Sequence, residues 1–167
     1  LSYAQFEVPS HGHGFVFFFG DVTENRALFS ETKHLASHDY LTDLLNRYAF
    51  EGEIKPYLGY GFKVIQSMES PTGVLLYINI NHFRIVNNSV GRIAGDELLR
   101  QVAQAISGLS HEDDRIARLE GDIFAIVMNI KSPREAQARA RHLYMSLSQM
   151  VFAWHQHRFE ISISIGA

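Results

Sequence analysis

Apolar residues recur along the chain with two periods, and the switches between them mark the elements. Gly14–Gly20 (GFVFFFG) is wholly apolar between glycines and predicts a short strand. Asp21 and Glu24 follow with capping-box spacing. They predict a helix over Val22–Ser37, with Leu28 and Leu35 one heptad apart. HDYLTDLLNRYAF opens the main body at His38, and a helix is expected over Arg47–Met68, interrupted by Gly52, Pro56, Gly59 and Gly61. SPTG is a turn, Val74–Ile80 (VLLYINI) a buried strand, and FRIVNNSVG a short helix and turn. GDELLRQVAQAISGL places Leu98, Val102, Ala105 and Leu109 on one helical face.

Two apolar segments, IARL and IFAIVMNI, then flank a Glu-Gly-Asp tip, the pattern of a β-hairpin. Ser132 and Pro133 start another helix. Its stripe of Ala136, Ala140, Leu143, Leu147, Val151 and Trp154 predicts that it runs on to residue 154. FEISISIGA closes the chain with the alternation of a strand. Together these elements predict an α+β fold, an antiparallel-rich sheet with helices packed against it.

Composition narrows the function classes. The 167 residues suffice for one domain with a core and a fragment of another. Fifteen basic and eighteen acidic side chains give a net charge of −3, which argues against a nucleic-acid partner but admits a small anionic nucleotide. There are no cysteines, hence no disulfide or thiolate chemistry. No apolar run is long enough to span a bilayer, and the N-terminus LSYAQFEVPS lacks the basic start and apolar core of a signal peptide. The expected location is cytoplasmic, with no membrane contact by this segment. HGHG near the start and HQH at residues 155–157 lack carboxylate or cysteine partners at metal-binding spacings. His155 and His157 are expected to cap the C-terminus of the long helix.

The hairpin tip RLEGDIF sets Glu120 and Asp122 around Gly121. Two carboxylates about a glycine suit a metal- or phosphate-facing site, and equally a solvated turn. On residue type alone Asn87 and Asp96 read as turn and cap residues.

The order LTDLLNR, INHFRIVNNSVGRIAGD, RLEGDIF, ISISIGA resembles the GGDEF domain of diguanylate cyclases over His38–Ala167. The resemblance implies a ferredoxin-like palm, with helices against an antiparallel-rich sheet. It also implies the condensation of two GTP molecules into cyclic di-GMP across a dimer, with Mg²⁺ held by carboxylates. Active relatives place those carboxylates at the first Asp of an Asp-x-Asp and at the acid after paired glycines. Here Asn79 and Asn81 stand in the Asp-x-Asp, Glu120 replaces the first glycine, Asp122 is retained as a metal ligand, and Ile123 replaces an acid. At about 5 Å and an effective dielectric of about 20, each like-charge pair between Glu120 and a triphosphate would cost roughly 3 kcal/mol unless the side chain turns away. These departures predict a site without cyclase activity.

The base-reading half is kept: Asn87 and Asp96 match residues that hydrogen-bond guanine, Phe83 matches an aromatic near the base, and Arg84 replaces a phosphate-approaching lysine. The product-inhibition motif Arg-x-x-Asp becomes HEDD, with His111 for the arginine and Asp114 kept. That removes the planar fork a phosphate would need.

Residues 1–21 resemble the end of a PAS sensor, residues 22–37 a signalling helix that could also pair two chains into a homodimer, and residues 38–167 a degenerate GGDEF domain. A neighbouring EAL phosphodiesterase domain is the expected partner. Relatives continue past the SIG-containing strand, so a truncated end is expected. The leading function is a regulatory, GTP-binding module with Mg²⁺ as accompanying cofactor. A structural or dimerising spacer that binds no nucleotide and a weak residual cyclase are the alternatives.

Overall fold

The computed structural model describes residues 2–8, 12–18, 34–64 and 73–166. The chain divides into two units, Leu1–His34 and Leu35–Ala167. In the first unit, β1 (Ser2–Val8) pairs antiparallel with β2 (Gly12–Phe18), Ser2 opposite Phe18 and Val8 opposite Gly12. The expected strand is therefore half of a hairpin, because Ser2–Val8 supplies the ladder partner that one strand needs. The helix expected over Val22–Ser37 lies mostly outside the described residues; residues 34–37 are helical.

The second unit is built on a five-stranded sheet in the order β3–β5–β6–β4–β9. These strands are Leu45–Asn46, Arg115–Glu120, Ile123–Met128, Val74–Ile80 and Ile163–Gly166. β4 pairs antiparallel with both β6 and β9, so the end of β4 lies between two neighbours. The parallel contact of β3 with β5 completes the edge. The order is that of a ferredoxin-like palm, with α1 (Arg47–Val64) on one face and α3 (Arg92–Leu109) and α4 (Pro133–Ser148) on the other.

Strand alternation divides the core between those faces. Leu76, Ile78, Phe124, Ile126 and Met128 point to the larger cluster with Leu98, Leu99, Val102, Ile106, Leu143 and Leu147. Ala117 and Ala125 point the other way, and their small size lets α1 seat Phe50 and Ile54 close to the sheet. α1 runs unbroken through Gly52 and Pro56, where interruptions were expected. A proline deletes one i→i−4 hydrogen bond, here the one to Gly52, and anchorage through Phe50 and Ile54 outweighs that loss. The expected end at Met68 lies outside the described residues.

The segment after α4 differs from the expectation. α4 begins as expected, with Ser132 Oγ accepting from the Glu135 amide at 3.2 Å while Glu135 accepts from the Lys131 amide at 2.8 Å. It ends at Ser148, and Val151–Trp154 is strand β7, paired with β8 (His157–Glu160). The C-terminal FEISISIGA is thus split between β8 and β9. Val151 is exposed whereas Phe152, off the helical stripe, is fully buried. Aromatic and β-branched residues favour the pleated surface, and Phe152 stacks on both Trp154 and Phe159 with ring centroids 6.2 Å apart. His155 and His157 therefore cap no helix: His155, at φ 51°, is in the turn and His157 opens β8.

Phe152→Ala is expected to lower the unfolding free energy by about 3–5 kcal/mol, and Val151→Ala by less than about 1 kcal/mol. Urea unfolding followed by circular dichroism measures both. The reverse ranking would restore the longer helix.

Candidate functional site

The site gathers where the C-terminal end of β4 meets the β5–β6 turn. Cross-strand register sets Asn79 opposite Ile123 in β6 and opposite Ser164 in β9. The Ile80 amide donates to the Asp122 carbonyl at 3.2 Å, so the hairpin tip is laced to the strand end. Gly121 occupies φ 50°, a left-handed conformation that glycine adopts without strain, and open space surrounds it. Glu120, displaced by a register shift between Arg118 and Glu120, directs its carboxylate to Arg47 at 3.3 Å. Both side chains are about half exposed, so this pair contributes only about 0–1 kcal/mol.

Asn81 is fully engaged. Its amide nitrogen donates to Ser162 Oγ at 2.9 Å and its amide oxygen accepts from Ser164 Oγ at 2.9 Å. That network ties β4 to β9 and leaves Asn81 a structural role. Asn79 and Asp122 are half-buried.

Phe83 and Arg84 form the start of α2 (Phe83–Val90), Asn87 lies one turn on, and Asp96 stands in α3. The helices meet at a close contact: a Cβ on Gly95 would fall 1.9 Å from Asn87 Oδ1 and 3.1 Å from Phe83 Cζ. A larger residue there would have to move the Asn87 side chain; glycine lets Phe83 and Asn87 pack against α3 one residue before Asp96. Asn87 Oδ1 is buried and has no hydrogen-bond partner. A buried acceptor without a donor is rare and costly, of order 1–3 kcal/mol. The oxygen is covered by the α2–α3 contact itself, so a donor from a ligand would reach it only once the Asn87 amide turned outward.

A half-buried cluster that sequence reasoning passed over holds the hairpin in place. Arg118 donates from Nε and Nη2 to the Gly121 carbonyl at 2.9 and 2.8 Å, and from Nη1 to Asp39 at 3.0 Å. Asp39 also accepts from the Thr42 amide at 3.0 Å and hydroxyl at 2.7 Å. Burial alone would raise the Asp39 carboxyl; the hydrogen bond from Thr42 and the Arg118 guanidinium outweigh it and hold it below the ordinary 3.8. Asn46 Nδ2 donates to the Ala36 carbonyl at 2.9 Å, joining residues 34–37 to the same corner. The Asp39-x-x-Thr42 spacing was a local turn signal; the long-range partner had none.

HEDD resolves into a structural staple. The Asp114 side chain is fully buried and accepts from the His111 amide at 2.8 Å, the Asn129 amide at 3.2 Å and Arg139. Arg139 also donates to the Asn129 carbonyl at 3.0 Å. With three donors on its two oxygens, Asp114 is committed, and His111 stays exposed. An open groove of about 260 Å³ lies on this side of the domain, away from Asn79, with Glu53 and Arg115 in its wall paired at 2.7 Å. HQH sits at the β7–β8 tip, and the side chains of HGHG lie outside the described residues.

The family model for the diguanylate cyclase GGDEF domain matches residues 36–167. The chain belongs to the GGDEF family. It is 31% identical over 153 residues to the probable diguanylate cyclase DgcE of Escherichia coli, covering 92% of this chain and 13% of that protein. It is 26% identical to the cyclic di-GMP phosphodiesterase PdeB of Shewanella oneidensis, covering 87% of this chain and 16% of that protein. The bifunctional diguanylate cyclase/cyclic di-GMP phosphodiesterase MucR of Pseudomonas aeruginosa is 31% identical, over 81% of this chain and 19% of its own length. The chain thus spans less than a fifth of these three relatives.

Among solved structures, the GGDEF domain of TpbB from Pseudomonas aeruginosa superposes with a TM-score of 0.66 at 31% identity, covering 77% of this chain and 73% of that one. The coiled coil and GGDEF domain of DgcB from Caulobacter crescentus, in complex with c-di-GMP, gives 0.73 at 23% identity, covering 87% and 75%. The latter likeness concerns the fold.

GGDEF domains generally use GTP with Mg²⁺, and the two halves of this site answer differently to that pair. The base end keeps an amide at Asn87 and a carboxylate at Asp96, groups of the type that can bond a guanine edge. Asp122 is the one carboxylate left at this end; Asn79 offers a neutral amide, each side-chain atom of Asn81 already bonds a serine, and Ile123 has no ligand atom, so the set does not fit Mg²⁺.

The Asp39–Arg118 bridge gives a pH signature. Because the folded pKa lies below the unfolded one, the ionised bridge stabilises fully above the unfolded value near 3.8 and is lost as pH falls through the lower folded value. Asp39→Asn is expected to cost about 1–3 kcal/mol at neutral pH, with the gap to the parent closing in acid. Urea midpoints taken from neutral pH downwards check it; a gap that does not change with pH refutes the ionised bridge.

Proposed function

We propose that residues 38–167 form a GGDEF domain that binds guanine nucleotide without converting it, and regulates a neighbouring domain in cyclic di-GMP signalling. The observation that carries this reading is the contrast within one site. The base end keeps a close-packed Phe83–Asn87–Gly95 contact, with Asn87 Oδ1 unpartnered and Asp96 the next residue along α3. The catalytic end has Asn79, Glu120 and Ile123 in place of a metal ligand, a turn glycine and an acid. Phosphoryl transfer between nucleotides depends on charge neutralisation at the α-phosphate, and an amide supplies none.

In this role GTP is the ligand, recognised by Asn87 and Asp96 through the guanine edge, by Phe83 near the base and by Arg84 near the phosphates. The relatives support the wider setting, since PdeB is a cyclic di-GMP phosphodiesterase and MucR carries both activities. Residues 1–21 would be the end of a PAS-like sensor, residues 22–37 a signalling helix and homodimer contact, and an EAL domain the regulated neighbour in the cytoplasm. Among the described residues, Asn46 bonds the Ala36 carbonyl and Asp39 bonds Arg118, which ties the entry to the domain to the hairpin.

Calorimetric titration with GTP, with ATP as control, tests the reading. Heat is expected with GTP and not with ATP. Asp96→Ala is expected to weaken binding about tenfold or more, near 1.4 kcal/mol, and Gly95→Ala to do the same by displacing Asn87. Circular dichroism confirms that the variants are folded. No binding at millimolar GTP would leave the spacer as the surviving reading. Cyclic di-GMP formed from GTP, and lost on Asp122→Ala, would establish a residual cyclase.

A further inference from the structure

The substitutions that remove the metal also change what the nucleotide meets. A carboxylate at the end of β4 would repel a triphosphate unless a cation lay between them; an amide there does not. Position 79 is an amide, Asn81 is held by two serine hydroxyls, and Glu120 is drawn to Arg47. That leaves Asp122 as the single uncommitted carboxylate at the hairpin. Among the described residues no group of three or more His, Asp or Glu is arranged to hold an ion. Positive charge is available from the protein instead: Arg84 is exposed in the first turn of α2, and that turn carries no acidic residue.

Resting on the guanine-nucleotide reading above, we propose that this site binds its nucleotide as the free phosphate anion, without a divalent cation. A carboxylate at position 79 couples nucleotide and metal, because each neutralises the other's field. The amide uncouples them, and Arg84 supplies the neutralising charge that the ion would have brought. The domain would then report guanine nucleotide concentration independently of Mg²⁺, and the ligand class widens to guanine nucleotides carrying fewer phosphates.

The test is calorimetric titration of the whole chain with GTP, once in excess EDTA and once in saturating Mg²⁺, for the parent, Asn79→Asp and Asp122→Asn. The parent is expected to bind with dissociation constants within about threefold of each other in the two buffers. Asn79→Asp is expected to bind about tenfold more weakly in EDTA and to recover in Mg²⁺. Asp122→Asn, which adds no charge and removes one, is expected to bind at least as tightly as the parent in EDTA. Parent binding that appears only in Mg²⁺ overturns the inference while leaving the nucleotide-binding function standing. Equal affinity of Asn79→Asp in both buffers overturns the electrostatic argument, as does weaker binding by Asp122→Asn. No heat in either buffer, from a folded parent, overturns the nucleotide reading and this inference with it.

Discussion

One guanidinium holds the functional end of this domain in shape. Arg118 reaches from β5 in two directions, forking onto the Gly121 carbonyl at the hairpin tip and onto Asp39 in the segment that enters the domain. The turn it grips carries Glu120 and Asp122, and the tip is laced to β4 through the Ile80 amide. Its side chain is 11% exposed and that of Asp39 17%, so the pair works in a medium where charge–charge attraction is only partly screened. Fixing a glycine turn by a side chain rather than by strand pairing keeps the tip's position while leaving its neighbours free to vary in chemistry.

The contrast between the two ends of the site follows from where each is anchored. Asn79 lies in the middle of the sheet order, between β6 and β9, where backbone pairing decides its place whatever side chain it carries. The base end is different, because Asn87, Phe83 and Gly95 define one another by contact. HEDD shows a third pattern. Asp114 keeps its identity, but three donors within the domain hold it, so its retention is explained by the fold alone.

The elements with a single clear period were legible in the sequence. β4, α3 and the β5–β6 hairpin stand where their apolar spacing puts them, and Ser132 caps α4 as its side chain allows. Val151 and Trp154 were misread because three-residue spacing fits a helical stripe; in the strand Phe152 and Trp154 share the inner face and Val151 points out. The site was legible as a set of motifs, but its working contacts were not. Asp39 and Arg118 are 79 residues apart, and Asn81 is 81 residues from Ser162 and 83 from Ser164. No local pattern encodes such pairs; they exist only after the sheet has assembled.

The glycine at position 95 has a further consequence, for the routes by which such a domain can change. Asn79 and Ile123 are half-buried and placed by backbone pairing, so a substitution at either changes the chemistry of the strand end while that pairing stands. A side chain at position 95 must move the Asn87 side chain, so it acts on the α2–α3 joint directly. Change at position 95 is thus constrained by a joint between two helices, whereas change at position 79 is constrained by the sheet's backbone alone.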